Sequence, residues 1–297
     1  MKVGLVGIGK MGYNLALNFL SKGYNPVIYD INKDRMEELA KEGAVPAESI
    51  VDLVAKLNRP RIIFLMVPAG RPTDDVIDQL VQHLEPDDII ADCGNSYYKD
   101  SMSRAERLGR IGIKFLDCGI SGGIEGARNG VCAMIGGDKE VFKVCEKIFE
   151  DISVPHGYLY TGRSGSGHFC KMIHNGIEYG MMQAMAEGFE LLYKSQFHFE
   201  LDRVADVWNH GSVIRGWLME LLGSALRENK NLENIKGIIH STGEGRWTVE
   251  TALEMGVPVP VISLSLMIRY RSLESDTFSG KVVAALRNKF GGHRIEK

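Results

Sequence analysis

"KVGLVGIGKMGYNLALNFLSKG", residues 2–23, decides how the chain begins to fold. A short apolar run ends at Val6, three glycines follow in six positions, and apolar residues then recur at helical spacing as far as Gly23. The pattern predicts a buried strand, a tight turn and a helix. Gly7-x-Gly9-x-x-Gly12 is a weak signal alone; a strand before it and a helix after it give it meaning. Gly7 permits the turn, Gly9 lets backbone approach a pyrophosphate, and Gly12 lets helix and strand pack closely. The helix N-terminus offers N–H groups and partial positive charge to phosphates. Gly7, Ile8, Gly9, Lys10, Met11 and Gly12 are therefore candidate dinucleotide-binding residues.

Asp30 ends the next apolar run, "PVIYD", about 20 residues on, where an acid bonds the adenosine ribose hydroxyls. A carboxylate there also repels a 2′-phosphate: at ~4 Å and an effective dielectric of ~20, like unit charges cost about 4 kcal/mol before screening. Ile31 and Asn32 follow, with Ile31 where a 2′-phosphate would profit from an arginine. NAD is favoured, with NADP a weaker alternative. Lys33 and Arg35 are the opposing cations, read here as exposed first-turn residues of the next helix.

The alternation continues through "RIIFLMV", "DIIADCG", "KFLDCGI" and "NGVCAMIGG", each followed or separated by amphipathic helical segments. Such alternation means βαβ units and a mostly parallel sheet. From about Gly167 the strand signal fades, and residues 168–195 keep helical periodicity for about seven turns. The expected architecture is an α/β N-terminal Rossmann-type domain, residues 1–164, followed by an all-α C-terminal domain, residues 165–297. "TGRSGSG", 161–167, reads as the hinge, and "RNKFGGHRIEK" as a polar tail.

The totals narrow the class. The 297 residues carry a formal net charge of −3, which gives no reason to expect nucleic acid or an anionic membrane as partner. No apolar run approaches the ~18–20 residues of a membrane span. The five cysteines are scattered, odd in number and without C-x-x-C spacing. No metal site is expected, and a reduced cytoplasmic protein without a signal peptide is.

"GHFCKMIHNGIEYG", 167–180, places Lys171, His174, Asn175 and Glu178 at i, i+3, i+4 and i+7, on one helical face with Tyr179 at its margin. Solvated stripes usually use Glu, Lys and Gln. Gly176 and Gly180 each weaken a helix by ~1 kcal/mol relative to alanine, which suggests close approach of a ligand or another helix. Together with the dinucleotide turn, the stripe reads as catalytic.

These residues, with "GNS" at 94–96, "SGGIEGARNG" at 121–130 and "KMIHNGIEYG" at 171–180, resemble the decarboxylating 6-phosphogluconate dehydrogenases of the shorter, NAD-preferring bacterial type, end to end. "LDCGISGG" alone would fit the wider β-hydroxyacid dehydrogenases. The resemblance implies oxidation and decarboxylation of 6-phospho-D-gluconate without a metal. It implies Lys171 as general base, which requires its pKa to fall from ~10.4 toward ~7–8. It implies Glu178 as the acid that protonates C1, and His174 and Asn175 as substrate ligands. Ser121, Gly122 and Gly123 would hold the carboxylate, and Asn95 would lie between nicotinamide and substrate. Val67, Pro68 and Ala69 would line the cofactor. Tyr179 and Arg269 would bind the phosphate, with Arg287 and His293 supplied by a second subunit, hence a homodimer or dimer of dimers. The longer enzymes have lysine at the position of Thr242, and Arg246 stands nearby as a candidate replacement. The rivals are a dehydrogenase of a small unphosphorylated hydroxyacid, which has no need of Arg269, Arg287 or His293, and a silent NAD-binding sensor.

Overall fold

The computed structural model describes residues 1–296, which divide after Asn175 into two compact units. The first holds β1 (Lys2–Val6), α1 (Lys10–Ser21), β2 (Asn25–Tyr29), α2 (Lys33–Lys41), β3 (Val45–Pro46), α3 (Ile50–Ala55), β4 (Ile62–Leu65) and α4 (Arg71–Leu80). It continues with β5 (Ile89–Asp92), α5 (Tyr98–Gly109), β6 (Lys114–Ser121), α6 (Gly123–Asn129), β7 (Val131–Gly137), α7 (Lys139–Ile152) and β8 (Ser153–Gly162). The strands form one sheet in the order β3-β2-β1-β4-β5-β6-β7-β8. Every neighbouring pair is parallel except β6–β7, which pairs Ser121 with Cys132 and Leu116 with Gly137.

Strict alternation feeds two cores. Val3, Leu5, Ile28 and Phe64 point to one face and meet Leu15 and Phe19 of α1 and Phe149 of α7. Val6, Val27, Ile63 and Leu65 point to the other and meet Leu53 of α3, Ile77 of α4 and Leu108 of α5. Both faces are covered, as a parallel sheet requires. The strand ends after β1, β2, β4 and β5 thereby deliver the glycine turn, Asp30, Val67 and Asn95 to one end of the sheet.

The α/β unit followed by helices is as expected. Within the segment 161–167, Thr161 and Gly162 finish β8, and a long helix α8 (Ser166–Lys194) starts at Ser166. β8 escapes a periodicity reading because it is a sheet edge, irregular in register and largely exposed, so side-chain alternation carries little burial signal.

Residues 176–194 of α8 belong to the second unit with α9 (Leu201–Asn209), α10 (Trp217–Glu228), α11 (Gly243–Met255), α12 (Pro260–Ser272) and α13 (Phe278–Gly291). Its core cluster is small: Phe189, Ala205, Met219 and Leu226, with Trp208 edge-on to Phe189. α13 buries no residue and leaves Phe278 and Phe290 80% and 78% exposed. The polar tail is shorter than its composition suggests. Residues 287–291, Arg287 among them, complete α13, and Gly292 ends it in the left-handed region at φ +65°.

Candidate active site

The glycine turn is built by steric necessity. Gly7 has φ +95°, and a Cβ there would lie 2.6 Å from the Met66 carbonyl oxygen. A Cβ on Gly12 would lie 2.0 Å from the Gly7 carbonyl oxygen, a contact only backbone movement could relieve. A Cβ on Gly9 meets nothing within 4 Å, so this side of the turn is open. Gly9 caps α1 without a side chain, which leaves the first-turn N–H groups pointing at that opening. Gly12→Ala should therefore lower both melting temperature and NAD affinity. Gly9→Ala should melt like wild type yet bind NAD more than about tenfold more weakly, a loss of ~1.4 kcal/mol, in a fluorescence titration.

Asp30 sits at the end of β2, and its carboxylate accepts the backbone N–H groups of Ile8 and, at 2.7 Å, Asn32. The carboxylate thus ties the turn to the start of α2, which Asn32 caps. Ile31 is 92% exposed. Lys33 is exposed as expected, but Arg35 is not a solvated cation: its guanidinium donates to the Ile8 carbonyl at 3.0 Å. Tertiary proximity of the turn to α2 supplies that acceptor, which sequence spacing could not reveal.

Val67, Pro68 and Ala69 follow β4, and Asn95 follows β5 with its side chain exposed. A buried polar knot fixes both loops. Arg104 of α5, 3% exposed, donates to Asp74 at 2.7 Å and to Asp92, Ser96 and the Gly70 carbonyl at 3.2 Å each. Asp92 also accepts from Ser96 at 2.7 Å and from the Gly94 N–H at 3.1 Å. Burial alone would lower the Arg104 pKa, but Asp74 and Asp92 raise it on balance. Gly94 is needed because a Cβ there would lie 2.7 Å from the Val67 carbonyl.

Lys171 is 7% exposed on the first turns of α8. Its stem lies on the sheet where Gly119 leaves room: a Cβ on Gly119 would fall 2.2 Å from the Lys171 Cβ. The start of α8 is held by Asp117 of β6, whose carboxylate accepts the Gly165 N–H at 2.6 Å and the His168 N–H at 2.9 Å. His168 Nδ1 meets the Ser101 hydroxyl at 2.7 Å. Ser121 ends β6 and Gly123 opens α6, with Gly122 between them at φ +112°, so the predicted loop is a strand-to-helix turn. Ser121 Oγ lies 3.2 Å from His174 Nε2, and His174 Nδ1 lies 3.0 Å from Asn175 Oδ1. The structure thus joins Ser121, His174 and Asn175 in one chain of hydrogen bonds.

In the second unit Tyr179 is 5% exposed, and Arg269 of α12 stacks on its ring with Cζ 3.4 Å from the centroid. The Tyr179 hydroxyl lies 3.3 Å from both the hydroxyl and the N–H of Thr242. Glu178, partly buried, precedes it on α8. Arg246 faces Glu250 of its own helix at 3.4 Å rather than Tyr179. Arg287 and His293 are exposed and make no hydrogen bond to Tyr179 or Arg269. The sequence reading missed Asp92, Ser96, Arg104, Asp117 and Gly119. A usable signal existed for Asp117 alone: an acid within the apolar run "FLDCGI".

All five cysteines are free, and the hydrogen bond to Cys118 together with burial pushes the Cys93 thiol well above its ordinary pKa, so it is no nucleophile. Among the described residues no cluster could hold a metal, and no helix is long and apolar enough to cross a membrane.

A glycine-turn α/β unit followed by helices that carry a buried lysine stripe defines an NAD(P)-type oxidoreductase. Residues 2–162 match the NAD-binding domain of 6-phosphogluconate dehydrogenase, and residues 167–297 match that enzyme's C-terminal domain. The chain belongs to the 6-phosphogluconate dehydrogenase family. It is 52% identical to YqeC of Bacillus subtilis, which bears the 6-phosphogluconate dehydrogenase name provisionally, each chain covered in full. It is 40% identical to the NAD(+)-dependent decarboxylating 6-phosphogluconate dehydrogenase of Haloferax volcanii, over 100% of this chain and 99% of that one. The Plasmodium falciparum 6-phosphogluconate dehydrogenase structure superposes with a TM-score of 0.85 at 31% identity, covering 100% of this chain and 66% of that one.

Proposed function

We propose that this chain oxidises and decarboxylates 6-phospho-D-gluconate to D-ribulose 5-phosphate and CO2, with NAD favoured over NADP, in the pentose phosphate pathway of the cytoplasm. The observation that carries the choice of a phosphorylated substrate is Arg269 stacked on Tyr179: a planar guanidinium with its N–H edge preset suits a phosphate. A small hydroxyacid would give that pair nothing to bind.

The open side of Gly9 and the carboxylate of Asp30 at the adjacent strand end fit a dinucleotide. Gly7 to Gly12, Asp30 to Asn32, Val67 to Ala69 and Asn95 would hold it. NAD, when bound, supplies the hydride acceptor. Lys171 takes the proton of the C3 hydroxyl, and once protonated it polarises the resulting C3 keto oxygen as CO2 leaves. His174 and Asn175 orient the substrate hydroxyls, Ser121 to Gly123 hold the carboxylate, and Glu178 returns a proton to C1. α13 buries none of its own residues and carries Arg287 near its C-terminal end, with His293 just beyond the helix. A second copy covering α13 would bring both to the partner's phosphate, making a homodimer or a dimer of dimers.

Initial rates at 340 nm with 6-phosphogluconate, run with NAD and NADP side by side and with CO2 trapped, test this reading. Turnover with CO2 release and the higher kcat/KM for NAD is expected, and Asp30→Ala should narrow the ratio between the cofactors. Preference for NADP would overturn the role given to Asp30 and assign Arg35 to a 2′-phosphate. Turnover of unphosphorylated 3-hydroxyacids alone would overturn the substrate.

A further inference from the structure

Thr242 is the N-cap of α11, yet its hydroxyl makes no bond to the helix's own N–H groups, the usual use of a threonine there. It lies 3.3 Å from the Tyr179 hydroxyl, and the Thr242 N–H donates to the same oxygen at 3.3 Å. Three residues on, Gly245 meets the ring: a Cβ there would lie 2.5 Å from Tyr179 Cε2 and 2.9 Å from Cδ2. The first turn of α11 therefore grips Tyr179 at its hydroxyl and along one edge. Arg269 lies over the face, Cζ 3.4 Å from the centroid, and its Nη1 reaches toward the His240 carbonyl at 3.5 Å. A guanidinium stacked in this way keeps its donors in the plane parallel to the ring, free of the ring itself. Glu244, 3% exposed in the same turn, already sets a carboxylate against the positive end of α11. That leaves Arg269, rather than the helix end, as the group that meets a dianion.

We propose that Thr242 and Gly245 are positioning residues that preset the Tyr179–Arg269 pair as a rigid phosphate clamp. The inference rests on the reading of the substrate as 6-phosphogluconate. A clamp held in place before binding loses less side-chain freedom on capture than one that must be ordered by the ligand. Its contribution falls on substrate affinity, because the phosphate does not change during the reaction.

The test is steady-state kinetics of the full chain with 6-phosphogluconate and with gluconate, for wild type, Thr242→Val, Thr242→Ser and Gly245→Ala, with a thermal melt of each. Thr242→Val and Gly245→Ala should raise KM for 6-phosphogluconate about three- to tenfold, the loss expected for one oriented hydrogen bond. Their kcat and KM for NAD should stay within about twofold, and the preference over gluconate should fall by the same factor as KM rises. Thr242→Ser, which keeps the hydroxyl, should match wild type. If Gly245→Ala does not fold, the near-isosteric Thr242→Val decides. Unchanged KM in a well-folded Thr242→Val overturns the inference alone. A wild type inactive on 6-phosphogluconate overturns the substrate reading and the clamp with it.

Discussion

Lys171→Met should lose about 10³–10⁴ in kcat while its NAD dissociation constant stays within about twofold of wild type. A loss of that size is about 4–5.5 kcal/mol of transition-state stabilisation. Methionine is the informative replacement because the Lys171 stem is packed over Gly119, where even one added carbon would collide at 2.2 Å. Lys171→Ala would remove both the ammonium and the packing; methionine keeps the stem and removes only the group that takes the proton. Asp117 and the β6–β7 strands fix the helix start whatever residue stands at 171, so the cofactor turn is undisturbed. Single-turnover hydride transfer and equilibrium NAD binding together check this. A Lys171→Met enzyme within tenfold of wild-type kcat would remove Lys171 as the base.

Arg104→Leu should be the most destabilising change in the first unit. Arg104 is the buried cation between Asp74 and Asp92, and the Asp92 side chain is fully buried. Removing one partner of such a pair costs about 3–5 kcal/mol, because the remaining carboxylate keeps its desolvation penalty. For a unit of this size the melting temperature should drop by roughly 10 °C. The KM for NAD should rise as well, since Arg104 ties the loop after β4, through the Gly70 carbonyl, to the loop after β5, through Ser96. Adding Asp92→Asn should recover part of the melting temperature by removing the unpaired charge, as a double-mutant cycle would show. A single variant melting within about 3 °C of wild type would mean that Asp92 is solvated or otherwise paired.

Much of this fold was legible in the chain. Val3, Leu5 and Val6 alternate between the two cores as a period of two dictates, and the 168–195 periodicity became one helix, Ser166–Lys194. β8 was not legible, because an exposed edge strand needs no alternation. The short β3 and the helices α3 and α6 were likewise too brief for their period to register.

The sequence by itself determined the glycine turn, the acid at the end of β2 and the polar face of α8. Each of these depends on residues a few positions apart, where backbone sterics and helical geometry are fixed in advance. Only the tertiary structure decided which partners those residues take: Asp117 at the head of α8, Arg104 between two loops, Arg35 on the Ile8 carbonyl, and Thr242 on the Tyr179 hydroxyl. Those pairings join positions far apart in the chain. Their energies come from burial, which no local pattern encodes until the sheet and helices have packed.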